Sequence, residues 1–142
     1  LIVLIAAPLL LSLSGCANKA DYAGIPMDYY VFFETNSAEL TPDGYAIVQR
    51  AADAVAKLRP QSVIIAGYSD RVGSEAANHK VAAHRTALVQ KTLVDLGVNG
   101  AIITTLPLGA ATDDLGPTGD RRIEIRLTKD NSAPLGPKVD DK

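Results

Sequence analysis

The 142-residue chain has one cysteine, two histidines and no tryptophan. A single thiol cannot close an intrachain disulfide, so a disulfide-stapled scaffold is excluded. A thiolate zinc cluster is excluded too, because structural zinc sites mostly take several cysteines. Positive charge is not in excess: 14 Lys and Arg face 16 Asp and Glu, for a net charge of -2. That argues against nucleic acid as a partner, since its binders usually carry a basic surplus. No apolar run reaches the ~20 residues that a membrane-spanning helix needs. Wholesale disorder is excluded as well, because 47% of the residues are hydrophobic and 21% charged, near the globular average.

What is present first is an apolar run over residues 1–13, broken only by Pro8 and Ser12. It fits the hydrophobic region of a secretory signal. The chain starts at Leu1, so the basic n-region of such a signal is expected to be missing from it. The run ends in Leu13-Ser14-Gly15-Cys16, which resembles the bacterial lipobox. That resemblance implies a lipid-modified Cys16 as the mature N-terminus. Ala17 after it, rather than Asp, implies the outer membrane, with the domain facing the periplasm. Stable anchoring takes more than one acyl chain, and a multiply acylated cysteine supplies them. Residues 1–15 then read as signal peptide, 16–28 as lipidated cysteine and tether, 29–128 as one domain, and 129–142 as a disordered tail.

Inside the domain, Tyr29 to Phe33 is aromatic and β-branched and predicts a strand. Thr41-Pro42 predicts a helix start, with Thr as N-cap and Pro at the first helical position. Val48, Ala51, Ala52, Val55 and Leu58 follow at helical spacing, and Pro60 ends the helix. Ser62 to Ala66 predicts a buried strand bounded by Gly67. Gly73-Ser74 opens a second helix, which runs to Leu96 and stops at Gly97. Ala101 to Leu106 predicts a third strand. Arg121 to Leu127 alternates charged with apolar residues and predicts a strand with one wet face. The order βαβαββ implies an α/β two-layer sandwich, with helices on one face of a four-stranded sheet.

The second helix carries an anomaly. At about 100° per residue, Val81, Leu88, Val89, Leu93 and Leu96 form its core-facing stripe. Arg85 and Asn78 fall inside the same stripe. A buried arginine needs a partner, because an unpaired buried charge is strongly destabilising. Asp70, in the loop just before the helix, is the obvious one. The plain reading is a structural Asp70–Arg85 bridge, with Asn78 capping a backbone group. The functional reading is a ligand site at the helix N-terminus, where free N–H groups favour an anionic group. An aspartate beside an arginine would complement a zwitterion: carboxylate for ammonium, guanidinium for carboxylate.

The run Gly67-Tyr68-Ser69-Asp70-Arg71-Val72-Gly73-Ser74, then Asn78, Val81-Ala82 and Arg85-Thr86, resembles the Gly-His-Thr-Asp-x-x-Gly-Ser … Asn-x-x-Leu-Ser-x-x-Arg-Ala signature of OmpA-like domains. The resemblance extends to Val31–Leu40 and to Asp120-Arg121-Arg122-Ile123-Glu124-Ile125. It implies a mixed sheet and non-covalent peptidoglycan binding. Asp70 and Arg85 would hold the free amino-acid end of diaminopimelate in the stem peptide, helped by Asn78. Asn36 would line the pocket, the Val72 backbone would face the ligand, and Arg121 would border the site. The departures are Tyr68 for His, Ser69 for Thr, Val81-Ala82 for Leu-Ser, Thr86 for Ala and Asp120 for Asn. None removes the Asp/Arg pair. On this reading Asp70→Ala and Arg85→Ala both abolish peptidoglycan capture while the fold survives. The same domain could equally anchor an assembly subunit of an envelope machine of the Tol-Pal, secretion or efflux type.

Other chemistries find little support. His79 and His84 are five apart and point different ways on a helix, whereas metal-binding pairs sit four apart on one face. No serine lies in a Gly-x-Ser-x-Gly elbow, and no glycine-rich phosphate loop precedes a helix. Neither an enzyme, a metal nor a cofactor is therefore expected.

Overall fold

The computed structural model describes residues 26–113 and 115–129. The signal, Cys16, most of the tether and the tail lie outside these residues. Strand β1 spans Met27–Phe32, helix α1 Pro42–Leu58, strand β2 Ser62–Ser69 and helix α2 Glu75–Asp95. A short 3-10 turn, Gly100–Ile102, leads into β3, Ile103–Ala110. The five-residue helix α3, Gly116–Asp120, precedes β4, Arg122–Thr128. No described helix is long and apolar enough to cross a membrane.

The sheet order is β1-β4-β2-β3. β4 lies between β1 and β2 and runs antiparallel to both, while β2 and β3 are parallel. β1 and β2 thus run the same way without touching, and the α1 crossover leaves a slot that the last strand fills. The register is fixed by apolar rows. Ile125 pairs with Tyr29 on one side and Ile65 on the other, and Ile123 with Val31 and Gly67. A one-residue slip would turn every one of these side chains to the other face. On the helix side, Val31, Val63, Ile65, Ile123, Ile125 and Leu127 meet Val48, Ala51 and Val55 of α1 and Val89 and Leu93 of α2 in one core.

Local chemistry sets the ends. Thr41 accepts a hydrogen bond from the Gly44 N–H at 3.0 Å, and Pro42 occupies the first helical turn. α1 stops in a left-handed Arg59 (φ 49°) before Pro60. The Ser74 hydroxyl caps α2 by accepting from the Ala77 N–H.

Several boundaries move from the sequence reading. β1 begins at Met27, inside the expected tether. β2 runs through Gly67 to Ser69, because Gly67 serves helix packing rather than a turn. A Cβ there would lie 2.6 Å from Thr86 Cγ2 and 2.9 Å from the Ala82 carbonyl oxygen. We expect Gly67→Ala to cost about 1–3 kcal/mol, the usual range for overpacking a tight core. A urea midpoint matching the parent would refute this account of the glycine. β3 starts later and reaches Ala110, passing through Pro107, which an edge strand tolerates. The α2 stripe is also rotated. Asn78, Ala82, Arg85, Thr86, Val89 and Leu93 are buried, and Val81, Leu88 and Leu96 flank them half-buried.

The expected wet face of β4 is not wet. Arg122 and Glu124 are 1% and 6% exposed, although they lie on the sheet face opposite α1 and α2. Their burial comes from one another, from Tyr68 and from the segment between β3 and β4. The Arg122 Nε donates to Glu124 at 2.8 Å, Nη2 to Asp113 Oδ2 at 2.8 Å and Nη1 to the Gly119 carbonyl at 3.2 Å. Its guanidinium also lies 4.2 Å from the centre of the Tyr68 ring. Farther along, Arg126 makes two hydrogen bonds to Asp28, at 2.6 and 2.7 Å.

Candidate functional site

Asp70 follows the last residue of β2, and Gly73 (φ +99°) turns the chain into α2. The Val72 N–H points at Asp70 Oδ1 from 3.4 Å, a loose turn of the kind aspartate favours. Val72 itself is 80% exposed at the rim. Asn78, one turn into α2, is buried and faces this loop: a Cβ on Gly73 would lie 3.9 Å from its Oδ1.

Arg85 lies two turns farther on and is 1% exposed. The expected Asp70–Arg85 bridge is not formed. Arg85 is satisfied by neutral carbonyls instead: Nε donates to Ser37 at 2.9 Å, Nη2 to Glu34 at 3.2 Å and Nη1 to Tyr68 at 3.4 Å. Its guanidinium stands 4.9 Å from the centre of the Phe33 ring. Asp70 is turned to Arg121, with Oδ2 3.6 Å from Nη1. Arg121 is held there by its Nε bond to the Phe33 carbonyl, at 3.1 Å. The physical reason for the exchange is reach. The turn after β1 and the end of β2 put carbonyls on Arg85, and the start of β4 puts Arg121 beside Asp70.

The resemblance implies that Arg121 borders the site. The structure buries most of it and makes it the partner of Asp70. Asn36 sits exposed at the tip of the turn whose Glu34 and Ser37 carbonyls hold Arg85, in a left-handed conformation (φ 55°). The fold therefore gathers Asp70, Arg85 and Arg121 around one frame of carbonyls. Asn78 lies behind the loop, and Asn36 and Val72 stand at its rim.

Two cations and one carboxylate leave this corner with a positive balance. Burial, and then the neighbouring Arg121 charge, push the Arg85 pKa down, while Asp70 pulls it back up. A guanidinium in that position gains from an added anion. A guanidinium has five N–H donors, and Arg85 commits three to carbonyls. Two N–H groups remain beyond those three.

The network on the far sheet face was not anticipated. The pattern Arg122-x-Glu124 on a strand beside Tyr68 was its only sequence signal. Burial first, then the Glu124 charge, push the Tyr68 phenol up to about 12. Asp120 is buried against Arg71, Oδ2 to Nε 3.8 Å. His79 and His84 are exposed, as expected, and His79 Nδ1 lies 2.9 Å from the Pro107 carbonyl. Among the described residues no group of three His, Cys, Asp or Glu could hold a metal ion.

The OmpA family profile matches residues 32–122. The chain is 36% identical over 101 residues to the peptidoglycan-binding protein ArfA of Mycobacterium tuberculosis, covering 67% of this chain and 31% of that one. It thus spans about a third of the length of that relative. It is 30% identical over 151 residues to the peptidoglycan-associated lipoprotein of Rhizobium meliloti, covering 88% of this chain and 86% of the relative. Among solved structures, it superposes on the peptidoglycan-associated lipoprotein from Burkholderia pseudomallei with a TM-score of 0.62 at 22% identity, over 68% and 87% of the two chains. It superposes on the C-terminal domain of Helicobacter pylori MotB with a TM-score of 0.59 at 22% identity, over 72% and 85%. These structures share its mixed sheet and helices. The profile match covers the middle motif block whole, the first all but Val31 and the third through Arg122, and the chain belongs to the OmpA family.

Proposed function

We propose that this chain binds peptidoglycan non-covalently, gripping the free zwitterionic end of diaminopimelate in the stem peptide. One observation carries the reading: a carboxylate, Asp70, and two guanidiniums, Arg121 and Arg85, converge beside the N-terminus of α2. Asp70 takes the ligand ammonium. The ligand carboxylate takes the place of Asp70 on Arg121, with the Arg85 guanidinium beside it. Asn78 steadies the loop, and Asn36 and the Val72 backbone close the rim. The peptidoglycan in the names of the mycobacterial and rhizobial relatives supports the coarser part of this reading, peptidoglycan as the ligand. In the same reading, lipid on Cys16 ties the domain to the outer membrane from the periplasmic side. Such an anchor serves equally a free tether or a subunit of an envelope machine.

The test is co-sedimentation with purified sacculi. Asp70→Ala is expected to weaken binding about 100-fold, the scale for removing one partner of a close charge pair at an interface. Its folding stability should change by only about 1 kcal/mol, because Asp70 is partly exposed and its ion pair is long. The stem tripeptide ending in diaminopimelate should compete, whereas the same tripeptide ending in lysine, whose side chain ends in an ammonium without a carboxylate, should not. Undiminished sedimentation of Asp70→Ala, or equal competition by the lysine tripeptide, would sink the assignment.

A further inference from the structure

Two neighbouring residues of the corner loop meet two neighbouring residues at the start of β4, crosswise. Asp70 Oδ2 lies 3.6 Å from Arg121 Nη1, and Arg71 Nε lies 3.8 Å from Asp120 Oδ2. Asp120 is the last residue of α3, and Arg121 joins that helix to β4.

The first pair is the one that a zwitterionic ligand takes apart. The second is built differently. Asp120 is 4% exposed, and its Oδ1 is buried without a hydrogen-bond partner among the described residues. A buried carboxylate is costly unless a cation stands beside it, and Arg71 stands there. Arg71 also donates from Nη2 to the Asp113 carbonyl at 2.7 Å. One guanidinium thus joins the corner loop to both ends of the segment between β3 and β4.

Arg121 is fixed by other means. Its Nε donates to the Phe33 carbonyl at 3.1 Å, and its own carbonyl accepts from the Phe33 N–H at 2.9 Å. The distance from Asp70 to Arg121 is therefore set by where the loop sits. Backbone pairing carries the chain as far as Ser69, whose carbonyl accepts from the Ala111 N–H at 3.0 Å. Beyond it, Arg71 ties the loop down. A ligand carboxylate on Arg121 ends the hold of Asp70 there. The Arg71 contacts outlast that exchange, since neither Asp113 nor Asp120 takes part in it.

We infer that Arg71, paired with Asp120, is a positioning residue of the ligand site, holding Asp70 at its distance from Arg121 once the ligand has parted them. The inference rests on the stem-peptide reading of this corner. The ammonium and carboxylate of the ligand end sit on one carbon, so their separation is constant. The two receiving charges have to be held to match it by groups outside the contact. Arg71 acts through the placement of Asp70 opposite Arg121 and does not touch the ligand.

Calorimetric titration of the full chain with the stem tripeptide ending in diaminopimelate tests this, each affinity being referred to the folded fraction from urea unfolding. Arg71→Met should weaken binding about tenfold, within the range over which neighbours in one charge network couple. That change strands Asp120 and costs stability. Arg71→Met/Asp120→Asn removes both charges, so it should show the same tenfold loss with a urea midpoint nearer the parent's. Arg71→Lys should restore part of the affinity, because a cation returns beside Asp120. The decisive comparison is made in Arg121→Met, which lacks the guanidinium to be aligned. There, adding Arg71→Met should weaken binding by less than about twofold. Parental affinity in Arg71→Met or in Arg71→Met/Asp120→Asn would overturn the proposal. So would a tenfold loss that persists in the Arg121→Met background, since Arg71 would then touch the ligand or serve the fold alone. Failure of the stem-peptide reading looks different: the parent does not bind the tripeptide, or Asp70→Ala binds it normally, and the positioning role falls with it.

Discussion

Arg85→Ala is expected to lower the unfolding free energy by about 3–5 kcal/mol, and not only to abolish ligand binding. Sequence reasoning treats Arg85 as a ligand residue whose loss the fold survives. The geometry assigns it a second task. Its fork ties together the turn after β1, through the Glu34 and Ser37 carbonyls, and the end of β2, through Tyr68. Truncation leaves those carbonyls without their donor, one buried and two half-buried, at about 1–3 kcal/mol for each one left unpaired. It also removes a cation from the face of Phe33, worth about 0.5–2 kcal/mol. Local relaxation and water entry recover part of this, which is why the expected total is below the sum. Arg85→Lys should fall between, since an ammonium keeps the charge but cannot serve three carbonyls from a planar fork. Urea unfolding of the three proteins decides it. A loss under about 1 kcal/mol in Arg85→Ala would show that the turn holds itself. The practical consequence concerns binding assays. A null result with Arg85→Ala mixes loss of contact with loss of fold, whereas Asp70→Ala separates them.

Much of this was legible because local chemistry and burial pattern agree in the sequence. Thr41-Pro42 marks a helix start whatever the rest of the chain does. The Ile123, Ile125, Leu127 alternation fixes which face of β4 meets the helices. Arg85 inside an apolar stripe was equally visible, since a buried arginine is costly anywhere. Its partners were not. Periodicity says that Arg85 points inward, but the groups it meets belong to Glu34 and Ser37, roughly fifty positions away, and are backbone carbonyls that carry no residue signature. The carboxylate in the loop just before the helix was therefore the natural guess, and tertiary geometry gave that carboxylate to Arg121. Gly67 misled for a related reason. A glycine after an apolar run reads as a turn, and only the approach of Thr86 and Ala82 shows it to be a packing contact inside β2. The outer face of β4 misled most, because alternating charge on a strand normally means solvent. Here the charges bury one another.

That self-burial sets the second large effect. Arg122→Met is expected to cost about 3–5 kcal/mol, the range for breaking a buried pair from one side. Methionine keeps the length of the side chain, so packing over Tyr68 is partly preserved. What it removes is a cation in contact with both Glu124 and Asp113. The cost is the stranded carboxylates, not the lost attraction. The double variant Arg122→Met/Glu124→Gln should therefore be more stable than the single one by about 2 kcal/mol, although it departs further from the parent. Thermal melts of the four proteins of the cycle give the coupling directly. A double variant no more stable than Arg122→Met would show that Glu124 reaches solvent. Binding separates this arginine from its neighbour in sequence and from Arg85. Arg122 lies on the sheet face away from the helices, with Glu124 and Asp113. The folded fraction of Arg122→Met should bind sacculi with parental affinity, whereas that of Arg85→Ala should not. Two arginines buried to the same extent would then differ in function because one faces Glu124 and Asp113 within the sheet face and the other lies beside Asp70 and Arg121.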